Sequence, residues 1–411
     1  MRGFDGSRPA VGDQVEVVIE SVAFGGEGVA RHGEYVIFVP DVIPGEKVTV
    51  SVTQAKRAYG RAVPVRVLEP SPDRVEPGCQ VYGLCGGCQY QHVTYRRSLE
   101  LKERQVKEVM LRIGGLDVEG FCNPIRPAPE DYGYRNVISL HVRYLGNRWQ
   151  VGYFARDNKT LVPVSRCPIA SKAINDLITD IEARLKGFDH GDRIKALTIK
   201  NSGASTLIFP VYQKPLRFMS EDRLSYRLKH ITLSYGPGSF FQVNHAMLPD
   251  LLTLACDGLA PERVETLLDL YAGVGLFSLA LADKYSRVIG IEAGEEAVAC
   301  FEANIRDNRL RNVTVVRGTV EANIEAARRE IEGKPAAVLL DPPRAGLADR
   351  VVRFLKDVFI RKLVYVSCDP ATLARDLKKL APSYALRSLT PLDMFPQTKH
   401  IEVVAVLERI R

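Results

Sequence analysis

The chain has 411 residues, 46% of them apolar and 26% charged, with a formal net charge of +7. That length calls for two or three domains, and the composition excludes a disordered chain. No apolar run approaches the roughly 18–20 residues that cross a bilayer, and the opening MRGFDGSRPAVGD lacks the apolar core of a signal peptide. A cytoplasmic protein with no membrane attachment is expected.

Residues 11–68 alternate apolar and polar in short runs broken by glycine, as in VEVVIESVAF, YVIFVP and PGEKVTVSVT. The pattern predicts a small all-β unit, sized for a five-stranded barrel of the oligonucleotide-binding type. Lys56, Arg57, Arg61 and Arg66 surround Tyr59 there. A basic strip with an aromatic suits a phosphate backbone and a stacked base; it equally suits a strand edge guarded by charge. FGGEGVAR (Phe24–Arg31) and FVPDVIPGEKV (Phe38–Val48) resemble the TRAM domain. The resemblance implies an RNA-binding barrel over residues 1–70.

A proline-rich linker, LEPSPDRVEPG, leads into three crowded cysteines, Cys79, Cys85 and Cys88. Eight cysteines in a cytosolic chain stay reduced, so crowding suggests a metal or cluster site rather than disulfides. A helix is predicted over Thr94–Arg112, with six basic residues against three acidic ones. Strands such as VISLHVRYL and one helix, Ile174–Lys186, mark the middle region as α+β. A central domain is expected over residues 71–248, with the helix at 94–112 free to pack on the domain that follows. From about residue 249 to 411, helices alternate with the apolar strands TLLDLYAG, RVIGIEA, VTVVRG, AAVLLDPP and KLVYVSCDP. This predicts a doubly wound, Rossmann-like α/β sheet.

TLLDLYAGVGLFSLALA reads as strand, glycine turn and helix; Gly273 and Gly275 permit a tight turn and close approach by a ligand. The next strand ends in Glu292, placed to accept from both hydroxyls of a ribose. The turn has neither a third glycine in the dinucleotide spacing nor a G-K-[ST], which disfavours pyrophosphate. An adenosine ligand without phosphate remains. D-x-Y-x-G-x-G with a downstream Glu resembles class I methyltransferases, which bind S-adenosylmethionine.

Two further strands end in DPPRAG, with Asp341, and in SCDP, with Cys368. Strand ends of this kind face the ligand crevice. A methyl transfer to C5 of uracil needs a nucleophile to add at C6 and a base to remove the C5 proton. Cys368 is the candidate nucleophile, in a site that should favour its thiolate. Glu402, in QTKHIE ahead of the strand VVAVL, is the candidate base. Cys122, Cys256 and Cys300 are expected to be structural.

DPPRAG, SCDP and QT-x-H-x-E, in this order after D-x-Y-x-G-x-G, resemble the RNA uracil-C5 methyltransferase family across nearly the whole chain. The resemblance implies that Cys368 is the nucleophile, Glu402 the base, and Gln242, Tyr271, Gly273, Glu292 and Asp341 the cofactor contacts. By spacing alone, C-x5-C-G-G-C is open to zinc or an iron–sulfur cluster. Resemblance to the family's cysteine loop implies a [4Fe–4S] cluster on Cys79, Cys85, Cys88 and Cys167, ordering the loop and helping to hold folded RNA. It further implies RNA as the partner, 23S ribosomal RNA ahead of transfer RNA; no obligate protein partner is implied. From another class stands an RNA-binding or assembly factor with a vestigial site. For Arg135, Asn136 and Arg344 the pattern leaves RNA contact and bracing of the fold open.

Overall fold

The computed structural model describes residues 8–185, 194–210, 223–259 and 266–410. The strands β1 (Gln14–Val22), β2 (Gly28–His32), β3 (Tyr35–Val39), β4 (Lys47–Ala55) and β5 (Tyr59–Glu69) close a barrel in the order β1-β2-β3-β5-β4. Alternation puts Val17, Ile19, Ile37, Val39, Val48, Val50 and Val52 inside. The buried carboxylate of Glu46 fastens the barrel to the linker, accepting from Ile43 N, Ser71 N and the Arg74 guanidinium.

After the cysteine loop, α1 (Tyr95–Val109) starts behind Thr94 and ends in one π-helical turn, Met110–Gly114, closed by Gly115 in the left-handed region. Its Val106, Val109 and Met110 join a core built from one face of the C-terminal sheet. The central sheet runs β10-β9-β6-β7-β8, formed by β6 (Val137–Leu145), β7 (Arg148–Phe154), β8 (Leu161–Pro163), β9 (Ala196–Asn201) and β10 (Thr206–Pro210). Against it packs α2 (Lys172–Leu185) through Ile174, Ile178 and Ile181; Lys186 lies outside the described residues. The hairpin β11 (Leu224–Leu228) and β12 (Ile231–Tyr235) buries Leu224, Ile231 and Leu233 in the other C-terminal core rather than in the central one.

The C-terminal sheet has seven strands: β13 (Thr266–Leu270), β14 (Arg287–Glu292), β15 (Val313–Arg317), β16 (Ala336–Leu340), β17 (Lys362–Ser367), β18 (Tyr384–Leu392) and β19 (Glu402–Arg409). Their order is β15-β14-β13-β16-β17-β19-β18. β13 to β17 are mutually parallel, and β19 runs antiparallel between β17 and β18. β13 and β16 are continuously buried, as strands covered on both faces must be. The covering helices are α3 (Leu248–Leu259), α4 (Leu276–Ala280), α5 (Glu295–Asp307), α6 (Val320–Ile331), α7 (Asp349–Asp357) and α8 (Pro370–Leu380). Among the described residues, no helix is long and apolar enough to cross a membrane.

Candidate active site

Strand direction assembles the site. In the parallel part of the sheet, Tyr271, Glu292, Asp341 and Cys368 all stand at carboxyl ends of strands, and the order reverses between β13 and β16, where ligand crevices open. Because β19 is antiparallel, its first residue reaches the same edge. The register pairs Ser367 with Val403, so Cys368 and Glu402 come next on either strand. One cavity of about 960 Å³ is lined by Gln242, Tyr271, Gly273, Glu292, Asp341, Arg344, Cys368 and Glu402. All seven residues expected from the sequence as catalytic or cofactor-binding therefore converge.

The glycine turn is shaped by contacts that only this sequence allows. Gly275 has φ 89°, and a Cβ there would lie 2.4 Å from the Phe301 ring. Gly273, with φ 56°, has open space where a Cβ would stand, leaving its backbone accessible to the cavity. Tyr271 adopts φ 71° without being glycine, a local strain of about 1–3 kcal/mol kept by its surroundings. The Glu292 carboxylate accepts from Gly273 N at 2.8 Å and Gly294 N at 2.6 Å. Each carboxylate oxygen keeps acceptor capacity beyond those bonds, enough for the two hydroxyls of a ribose. Below the turn, Asp269 Oδ2 accepts from Ser278 N and Oγ, while its buried Oδ1 has no partner among the described residues. The donor set and the open backbone fit an adenosine ligand such as S-adenosylmethionine.

Cys368 sits where β17 gives way to α8. Asp369 caps that helix through Ala371 N and Thr372 N, and Pro370 takes its first turn. The expectation of a thiolate-favouring site is not met by the protein alone. Burial, with Glu402 and Asp341 nearby, pushes the thiol up to about 11. Arg344 opposes this through a hydrogen bond and its charge. Burial likewise raises Asp341 to about 7, helped by Asp269, and Asp269 to about 6. Burial and Asp341 hold Glu402 well above the usual carboxylate range, with Arg344 pulling it back. Sequence reasoning left Arg344 open; its place in DPPR beside Asp341 was the available signal. The Asp269 role was not read, although the motif contains it.

Cys79, Cys85, Cys88 and Cys167 line a second cavity of about 320 Å³, with Tyr153, Arg135 and His400. Burial raises Cys85, Cys88 and Cys167, and neighbouring thiols add to the rise at Cys85 and Cys88. Among the described residues, no group of three or more His, Cys, Asp or Glu side chains is arranged to hold a metal ion. Arg135 lines both cavities, whereas Asn136 is buried with its backbone paired to Val243 and Asn201. Cys300 lies in one C-terminal core, Cys256 packs against it, and Cys122 packs against the other.

Comparison with known proteins gives a consistent result. Residues 217–410 match the tRNA (Uracil-5-)-methyltransferase family, and residues 8–65 match the TRAM domain. A 23S rRNA (uracil(1939)-C(5))-methyltransferase RlmD from Shewanella baltica is 33% identical, covering 93% of each chain. An uncharacterized RNA methyltransferase from Thermosynechococcus vestitus is 32% identical over 96% of this chain and 98% of its own. Among solved structures, Pyrococcus abyssi tRNA (uracil-54, C5)-methyltransferase in complex with S-adenosyl-L-homocysteine superposes with a TM-score of 0.73. That chain is 26% identical, with 95% of this chain and 99% of the other covered.

Proposed function

The chain belongs to the TRAM-containing family of S-adenosylmethionine-dependent RNA uracil-C5 methyltransferases, and from that premise we propose that it forms 5-methyluridine in 23S ribosomal RNA through a covalent adduct between Cys368 and C6 of the uracil. The observation that carries the proposal is the register that sets Cys368 and Glu402 side by side at the cofactor edge of the sheet. The bound cofactor supplies an electrophilic methyl group on a sulfonium.

In this reading, the Cys368 thiolate adds to C6 and shifts electron density to C5 and O4, making C5 the nucleophile for the methyl group. Glu402 then takes the proton left on C5, the C5–C6 double bond re-forms, and the thiolate leaves. Arg344 offers the thiolate a hydrogen bond and positive charge at the moment it forms. A carboxyl held above its usual range is a strong base once ionised, which suits Glu402 to a carbon acid. Glu292 holds the ribose, the backbone at Tyr271 and Gly273 lines the adenosine, and Gln242 and Asp341 close the cofactor cavity.

RNA reaches the site over the barrel. Lys56 lies 5.5 Å from the centroid of the Tyr59 ring, itself edge-on to Phe38, an arrangement suited to a stacked base beside a phosphate. The four thiols around one cavity support a [4Fe–4S] cluster on Cys79, Cys85, Cys88 and Cys167. These four cysteines would hold the cluster through their thiolates, and the cluster would order the loop.

The test is mass spectrometry of the pure protein incubated with S-adenosylmethionine and 23S ribosomal RNA containing 5-fluorouridine. Fluorine cannot leave C5 as a proton, so a methylated adduct should remain on Cys368. An adduct on transfer RNA alone would move the substrate, and none on either RNA, with cofactor bound, would overturn the mechanism.

A further inference from the structure

The loop 393–401 joins β18 to β19, and the strands' last paired positions are Leu392 and Glu402. The loop therefore leads directly into the residue read above as the base. A long irregular segment at a strand end does not define the direction of the next side chain by itself. Here its carbonyls are taken one after another by groups from distant parts of the chain. Tyr134 donates its hydroxyl to Pro396 O at 2.9 Å, and Gln89 N and Tyr90 N donate to Gln397 O at 2.9 and 3.0 Å. Asn244 Nδ2 reaches Met394 O at 3.3 Å.

Lys102 of α1 occupies the centre of this arrangement and is wholly buried. Its Nζ donates to Asp393 Oδ1 at 2.6 Å, to Phe395 O at 3.1 Å and to His400 O at 3.3 Å. One ammonium thus ties the first residue of the loop to one near its end, using its three donors on three acceptors. The Tyr90 ring lies 5.5 Å away. One turn along α1, Gln105 Nε2 donates to Tyr90 Oη and to Val22 O of the barrel. The same helix therefore touches the barrel, the cysteine loop and the base-bearing loop.

We infer that Lys102 is a positioning residue for Glu402: by clamping both ends of the 393–401 loop it aims the carboxylate at the C5 proton, without touching substrate or cofactor. The inference rests on the reading of Glu402 as the base. It separates two steps of the reaction. Thiol addition and methyl transfer depend chiefly on Cys368, Tyr271, Glu292 and Asp341, which stand at the ends of β13 to β17 outside the clamp; of the clamped loop, Phe395 also lines the cavity. Removal of the C5 proton depends on Glu402. Loosening the clamp should leave the first steps running and slow the last, so that enzyme collects as methylated adduct on ordinary uridine.

The experiment uses the full chain with ribosomal RNA, methyl-labelled S-adenosylmethionine and a denaturing gel that retains covalent protein–RNA species. Lys102→Met keeps the length of the side chain and removes its donors, but it leaves Asp393 as an unpaired buried charge. Lys102→Met combined with Asp393→Leu removes both charges and guards against simple misfolding. Both variants should bind cofactor as the parent does. They should lose about 10²-fold in kcat, the order expected when a reacting group is misplaced by about 1 Å, and should accumulate adduct carrying the methyl label. Glu402→Gln run alongside should accumulate the same species. Folded Lys102 variants that turn over like the parent, or that lose adduct formation and release together, would overturn the inference. A Glu402→Gln protein that collects no adduct would remove the base assignment itself, and the inference with it.

Discussion

Substitution at Arg344 tests the electrostatics of the proposed nucleophile most directly, through the reactivity of Cys368 in the free protein. Burial beside Glu402 and Asp341 pushes the thiol up to about 11. At pH 7 roughly 10⁻⁴ of it is then thiolate, against about 3 × 10⁻² for an ordinary cysteine near 8.5, a deficit of about 300-fold. A more basic thiolate is intrinsically more reactive, which recovers about tenfold. Cys368 should therefore exchange with a small disulfide about 30-fold more slowly than a free thiol, with its rate still climbing at pH 10. A raised pKa keeps the neutral thiol to higher pH, so the rate must rise with pH through that whole range. Arg344→Met removes the hydrogen bond and charge that lower the pKa, and should slow exchange further. Mass spectrometry of the Cys368 peptide across pH 7–10 reads both proteins. A midpoint at or below 8.5, or faster exchange in the variant, would refute the account of how burial and Arg344 set this thiol.

Glu292→Ala removes the acceptor for Gly273 N and Gly294 N together with the ribose contact. S-adenosylmethionine affinity by calorimetry should fall about 10²-fold, and a change under about threefold would refute the assignment. Burial pushes Asp341 up to about 7, so its negative charge is present only above that pH. Preference for the cationic cofactor over neutral S-adenosylhomocysteine should rise from roughly pH 6 to 8 and stay flat in Asp341→Asn. Buried Asp376 accepts from Leu347 N, Tyr365 Oη and Arg375, bracing the loop that carries Arg344. Asp376→Ala should cost about 3 kcal/mol in denaturant unfolding. Gly275→Ala meets both a φ of 89° and the Phe301 ring, and should destabilise by about 2–4 kcal/mol in the same assay.

The residues best read from the sequence are those whose position follows from a short local pattern. Asp341 and Cys368 each end an apolar run, and a parallel strand brings its end to the crevice without further information. Glu402 needed the family resemblance, because nothing local says that β19 runs antiparallel and enters between β17 and β18. The raised pKa of Cys368 is not legible locally, because it depends on burial and on Asp341, Arg344 and Glu402 from the ends of two other strands. Lys102 was invisible: YRRSLELKERQVKEV reads as a charged surface helix, and the partner that justifies burying the lysine stands 291 residues away. The barrel's closure through a parallel β3–β5 pairing was equally hidden, since alternation shows which face is inside and not which strands meet.

The position of β19 also orders events while the chain is being made. Residues up to Asp341 supply most of the cavity lining, Cys368 follows, and Glu402 emerges after both, on a strand that lies between two neighbours. Synthesis thus supplies most of the ligand-pocket residues first, Cys368 second and Glu402 last. Because β18 pairs in the sheet through β19 alone, the strand that carries Glu402 also holds the edge of the sheet in place.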